Sequence, residues 1–140
     1  MKKSKLVIEY DFDFDVFGIS STLRGYKLAW EINQRLGIRL VRQADLIVGF
    51  KHRVDRGFPH YSYETRSNRL KLLRNKPAEG QRGKYLLLPE FPHFDFIMLA
   101  KLQEHPSRLE LTDVLKDIPS VALVAPIELE TLKSKTNFVF

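Results

Sequence analysis

Between residues 11 and 36 the spacing of apolar side chains changes from every second position to every third or fourth, and this change limits the fold most. Phe12, Phe14 and Val16 alternate with Asp11, Asp13 and Asp15, the two-residue period of a half-buried strand. Extended structure is expected from Leu6 to about Phe17. Gly18 to Thr22 supplies a break, with Ser20 or Ser21 placed to cap a helix. From Thr22 to Leu36 the rows Leu23, Tyr26, Trp30 and Leu28, Ile32, Leu36 follow a helical period. Gly37 stands where helices favour a left-handed stop. Two apolar rows make a wide face, which predicts a helix lying flat on a sheet with Tyr26 and Trp30 in its packing.

The rest of the chain extends this pattern. Leu46 to Arg53, His60 to Arg66 and Arg69 to Asn75 read as strands, the last two joined at Ser67-Asn68. Lys76 to Lys84 carries Pro77, Gly80 and Gly83 and reads as a long loop. Tyr85 to Leu88 and Phe94 to Leu102 are apolar, β-compatible runs. Leu109 to Ile118 is helical in period, and Val121 to Ile127 reads as a strand followed by a short helical turn. The expected class is α+β: a mostly antiparallel sheet covered by helices, with a C-terminal β-α-β unit placing two parallel strands side by side. The 140 residues, 44% apolar, are expected to form one domain over 1–140.

Cysteine is absent, which removes disulfides, zinc ribbons and thiol nucleophiles and favours a reducing compartment. Behind Met1, Lys2 and Lys3 the apolar run is only Leu6-Val7-Ile8, too short for an export signal. The longest apolar runs are five residues, Phe96 to Ala100 and Val121 to Ala125, against about 18 for a membrane span. A cytoplasmic protein with no membrane contact is expected.

No set of residues reads as a reaction centre. Asp11, Asp13 and Asp15 share one strand face, but the calcium-loop glycine and closing glutamate are replaced by Val16 and Thr22. Asp-x-Asp after an apolar strand also resembles aspartyl-nucleophile phosphatases, which need a larger α/β domain. An acidic strand edge that discourages aggregation is the favoured reading. His52, His60, His93 and His105 form no His-x-x-x-His pair. His93 and Asp95 could share a face, although a boundary histidine is the commoner role. No Walker loop and no G-x-G-x-x-G is present. No catalytic residue, metal, cofactor or small-molecule ligand is expected.

Charge is unevenly distributed. Residues 51–84 hold ten basic against three acidic residues, while 85–140 hold five against eight. Within the basic segment Arg53, Arg56, Arg66, Arg69, Lys71, Arg74 and Lys76 are interleaved with His60, Tyr61 and Tyr63. Cations beside aromatics on strands can hold phosphates and stack on bases. Along a strand, however, Arg69 and Lys71 point opposite to Arg74. Edge protection is the plainer use of such a hairpin.

Residues Leu88-Pro89-Glu90-Phe91-Pro92-His93-Phe94-Asp95-Phe96 resemble the signature of the bacterial IPExxxVDY family. Pro89, Glu90 and Asp95 match it identically, and Leu88, Phe94 and Phe96 stand at its isoleucine, valine and tyrosine positions. The resemblance extends to Gly18-Ile19-Ser20-Ser21 and to Tyr26, Ala29, Trp30 and Asn33 of the following helix. It implies no activity, since none is assigned to the family, and Phe96 lacks the tyrosine hydroxyl. Two roles are open for Glu90 and Asp95: accepting backbone N–H bonds across the Pro89–Pro92 corner, which is favoured, or anchoring a ligand in a shared groove. The leading expectation is a non-enzymatic module acting on a protein partner or on itself. The alternative is RNA or DNA binding through residues 51–84.

Overall fold

The computed structural model describes residues 13–78, 85–103 and 106–138. Strand β1 (Asp15–Ser21) leads into helix α1 (Gly25–Leu36) and the two-residue strand β2 (Val41–Arg42). Strands β3 (Leu46–Phe50), β4 (Val54–Phe58), β5 (His60–Glu64) and β6 (Asn68–Arg74) follow, and then β7 (Phe96–Leu102), helix α2 (Arg108–Asp117) and β8 (Val121–Pro126). The six-stranded sheet has the order β2-β5-β6-β7-β1-β8, and β3 and β4 pair separately. Every strand pair among the described residues is antiparallel. The fold is α+β with a mostly antiparallel sheet.

The alternation of strand side chains explains the layers. Phe17, Ile19, Leu70, Leu72, Phe96 and Met98 project to one face and pack against Leu28 and Ile32 of α1 and Leu111 and Leu115 of α2. Val16, Leu73, Ile97 and Leu99 project to the other and meet Phe58, Leu87 and Phe138. The sheet is therefore apolar on both sides, which is why Phe96 to Ala100 of β7 reads as an unbroken apolar run. Both helices cover one face only. The other is covered by the β3–β4 hairpin and by the C-terminal 3₁₀ turns Leu129–Thr131 and Lys133–Asn137.

Several sequence expectations need correction. Strands β7 and β8 run parallel on either side of α2, but β1 lies between them; the C-terminal β-α-β unit is a split one that fits the expectation loosely. This also makes β1 internal, so its aspartates do not guard an edge. Asp13 pairs with Lys101 at 3.0 Å and Asp15 lies 3.7 Å from Arg108, whereas Asp11 and the strand start at Leu6 fall outside the described residues. Helix α1 begins at Gly25 with Arg24 as N-cap and no side-chain cap. The serines end β1 instead, and Ser21 Oγ accepts the Leu23 N–H at 3.1 Å. The expected stop is present, since Gly37 has φ 65°.

Tyr85 to Leu88 is not a strand: the Leu87 and Leu88 N–H groups bond to the Asn75 carbonyl and side-chain oxygens. The β5–β6 turn centres on Arg66-Ser67 rather than Ser67-Asn68, with Thr65 N–H donating to the Asn68 carbonyl at 2.8 Å. No helix is long and apolar enough to cross a membrane among the described residues.

Candidate functional site

A groove of about 760 Å³ opens where the end of β1 turns into α1. Leu72 and Phe96, from neighbouring strands of the sheet's helix-side face, lie at its base, and Tyr26 and Tyr61 flank it. Arg24, Arg42, Arg74 and Lys76 also line it. These cations come from the N-cap of α1, from β2, from the end of β6 and from the residues just beyond. No contiguous sequence window contains them. Asp95 is the acid in the lining, and with Asp45 beside Arg42 the four cations still outnumber the acids.

Residues 93–95 hold its rim. Asp95 Oδ2 accepts the Ser21 N–H at 2.8 Å, the Asp95 N–H donates to the Ile19 carbonyl at 2.9 Å, and Ser20 Oγ donates to the His93 carbonyl at 3.1 Å. The β1–α1 connection is thereby fixed before the helix starts. The first turn of α1 contains no acidic residue and no side-chain cap, so its own sequence adds no negative charge to the positive end of the helix. Arg42 is oriented by Asp45 at 2.7 Å and lies over the Tyr61 ring with Cζ 5.8 Å from the centroid. Burial raises the Tyr61 hydroxyl above its usual range, with nearby Tyr26 adding to the effect and Arg42 opposing it. Tyr61 is therefore a neutral hydrogen-bonding group at neutral pH.

Residues 88–96 divide between the two sides of the sheet. Asp95 and Phe96 belong to the groove. Leu88 and Phe94 are buried in the core under the hairpin. Pro89 is exposed, and Glu90 grips the C-terminal 3₁₀ turn, accepting the Ser134 hydroxyl at 2.7 Å and the Ser134 N–H at 3.1 Å. Burial alone would raise the Glu90 carboxyl, but these bonds and a further backbone bond from Lys133 outweigh it and hold the group below the usual carboxylate range. The carboxylates of Glu90 and Asp95 thus bind different segments, and neither bonds across the Pro89–Pro92 corner. His93 is exposed, its ring 4.2 Å from that of Phe94. Among the described residues no group of three or more His, Asp or Glu side chains is placed to hold a metal.

The basic segment is dispersed. Arg74 and Lys76 reach the groove. Arg53, at φ 60°, and Arg66 are exposed at two separate turns. Arg56 lies over the Tyr85 ring at 4.7 Å. Arg69 is 3.6 Å from Glu64, and Lys71, on the hairpin-side face, has its ammonium pKa lowered by burial and by Arg69. Sequence reasoning missed Arg24 and Arg42, and it assigned Tyr26 and Trp30 to the core, whereas they are 64% and 51% exposed. The available signal was Arg24-Gly25 at a helix start without an acid. No family model, curated protein or solved structure matches the chain.

Proposed function

We propose that the chain is a non-enzymatic binding module whose partner carries negative charge and docks in the groove at the head of α1. One observation carries this reading: four cations line one groove, Arg42 of them paired with Asp45, while the one carboxylate in the lining already accepts the Ser21 N–H. Such a site concentrates anions and accelerates their association. The cytoplasmic placement belongs to the same proposal and is supported by the absence of cysteine. Membership of the IPExxxVDY family is likewise proposed, on residues 88–96. In that case its signature braces the body, with Asp95 fixing the groove rim and Glu90 fixing the C-terminal turn.

The test is a titration with two unrelated polyanions, polyglutamate and heparin, at several salt concentrations. Binding is expected at low salt and should be lost in the Arg42→Ala/Arg74→Ala/Lys76→Ala variant. The Arg53→Ala/Arg66→Ala variant removes exposed cations away from the groove and should bind normally. If both variants weaken binding equally, general surface charge accounts for it and the groove reading fails.

A second reading, self-association, is supported by β8. Among the described residues this strand pairs with β1 on one side and with no strand on the other. Val121–Pro126 contains no charge, and Leu123 is 45% exposed. An open, uncharged edge favours antiparallel pairing with a second copy. Sedimentation velocity should then detect a dimer that Leu123→Lys dissociates.

A further inference from the structure

We infer that the groove and the outer side of α1 form one continuous site for single-stranded nucleic acid, with phosphates in the groove and bases stacked on Tyr26 and Trp30. This rests on the anionic-partner reading and assigns the anion its class. Leu28, Ala29 and Ile32 take the sheet side of α1, which leaves Tyr26 and Trp30, four residues apart, on its solvent side. Residues at that spacing are stacked one helical turn apart, about 6 Å along the axis. Tyr26 also lines the groove, so the aromatic row starts where the cations are. The Lys27 ammonium lies over the Trp30 ring, 5.3 Å from its centroid, so a stacked base takes the other face or displaces it.

Two exposed rings leading out of a cationic groove suit bases, since every base offers a π-face while its phosphate needs a cation. An acidic peptide would use the groove but has no need of the rings. A duplex keeps its bases stacked inside and cannot use them. A free mononucleotide would not reach Trp30 from the groove, so the ligand spans at least two nucleotides. The acid on this helix is also accounted for: Glu31 is bonded by Arg35 at 3.3 Å. Arg35 also holds Asp117 at 3.0 Å, so one guanidinium serves both carboxylates, and the cations that draw a strand here are those of the groove and Lys27.

Trp30 is the sole tryptophan of the chain, so its fluorescence reports stacking directly. The probes are a ten-nucleotide oligouridylate, a duplex RNA of the same length, and polyglutamate. The oligouridylate should bind, quench Trp30 and outcompete the duplex. Trp30→Ala and Tyr26→Ala should each weaken it by roughly tenfold, the loss of one stacked base, while Tyr26→Phe keeps wild-type affinity. Removing Arg74 and Lys76 together should flatten the log affinity against log salt slope by about 1.4, or ~0.7 per phosphate contact on a single strand. Because Tyr26 and Trp30 are exposed, their substitution leaves the core intact, and circular dichroism verifies this. Equal binding of duplex, or binding with neither quenching nor sensitivity to Trp30→Ala, overturns the inference. If polyglutamate binds and the oligouridylate does not, this inference falls and the anionic-partner reading stands. If no polyanion binds, both fall.

Discussion

Asn75 is fully buried at the end of β6, and every polar group it owns has a partner. Its Nδ2 donates to the Phe94 carbonyl at 2.9 Å, its Oδ1 accepts the Leu88 N–H at 2.7 Å, and its backbone bonds to Asp95 and Leu87. One amide thus replaces the ladder that a strand over Tyr85 to Leu88 would have supplied. Asn75→Leu keeps the branching of the side chain but strands a buried N–H and a buried C=O, each worth about 1–3 kcal/mol. Urea unfolding should therefore show a loss of about 2–6 kcal/mol. Gly18 illustrates a different constraint. It reads in sequence as a break, yet it lies inside β1, where a Cβ would come within 2.3 Å of the Phe94 ring. Gly18→Ala should cost about 1–3 kcal/mol by overpacking, read in the same urea experiment. Neither role was legible beforehand, because each depends on partners 13 to 76 positions away.

At the scale of elements, the two helices have opposite N-termini. Helix α2 carries a complete capping box: Ser107 Oγ accepts the Glu110 N–H at 3.1 Å and the Glu110 side chain accepts the Ser107 N–H at 3.1 Å. Ser107→Ala should cost about 1 kcal/mol in the unfolding midpoint analysis. Helix α1 has neither a side-chain cap nor an acid in its first turn. Arg24→Asp would add both at the N-cap. It should abolish polyanion binding at low salt while the protein stays folded by circular dichroism, an outcome expected if the groove uses that helix end.

Element type was readable wherever it depended on neighbours in sequence: the apolar period of α1, the Gly37 stop and the period of α2 all appear in the structure. Strand β4 escaped because Arg56 occupies an inward position and stacks on Tyr85 instead of presenting an apolar side chain. The two exposed aromatics of α1 were misplaced because helical period reveals a row but not which row faces the sheet.

The molecule as a whole has two apolar cores separated by one sheet, and the groove and the C-terminal turn lie on opposite sides of it. The groove rests on Leu72 and Phe96 of the helix-side core. The C-terminal segment closes the other core through Phe138, which is 1% exposed, and is fastened by Glu90 to Ser134 and by Asn137 Nδ2 to the Leu87 carbonyl at 2.9 Å. Protonating Glu90 weakens only this second closure. Because its folded pKa is lowered, the stability it supplies is complete above the usual carboxylate pKa of about 4.3 and is lost as pH falls through the lower folded value. Amide protection of residues 132–138, taken relative to the intrinsic exchange rate at each pH, should accordingly fall below about pH 4, and Glu90→Gln should make that protection less dependent on pH.

Phe138→Ala opens the same side by packing rather than by charge and should cost about 3–5 kcal/mol. Neither change reaches the groove, whose rim is held by Asp95, Ser20 and Ser21. The Phe138→Ala protein, measured where it is still folded, should therefore bind polyanions within about twofold of wild type, since independent sites usually add. A parallel fall in stability and affinity would mean that the sheet transmits the change from one face to the other. The groove would then belong to the packing of the entire molecule, no longer to the head of one helix.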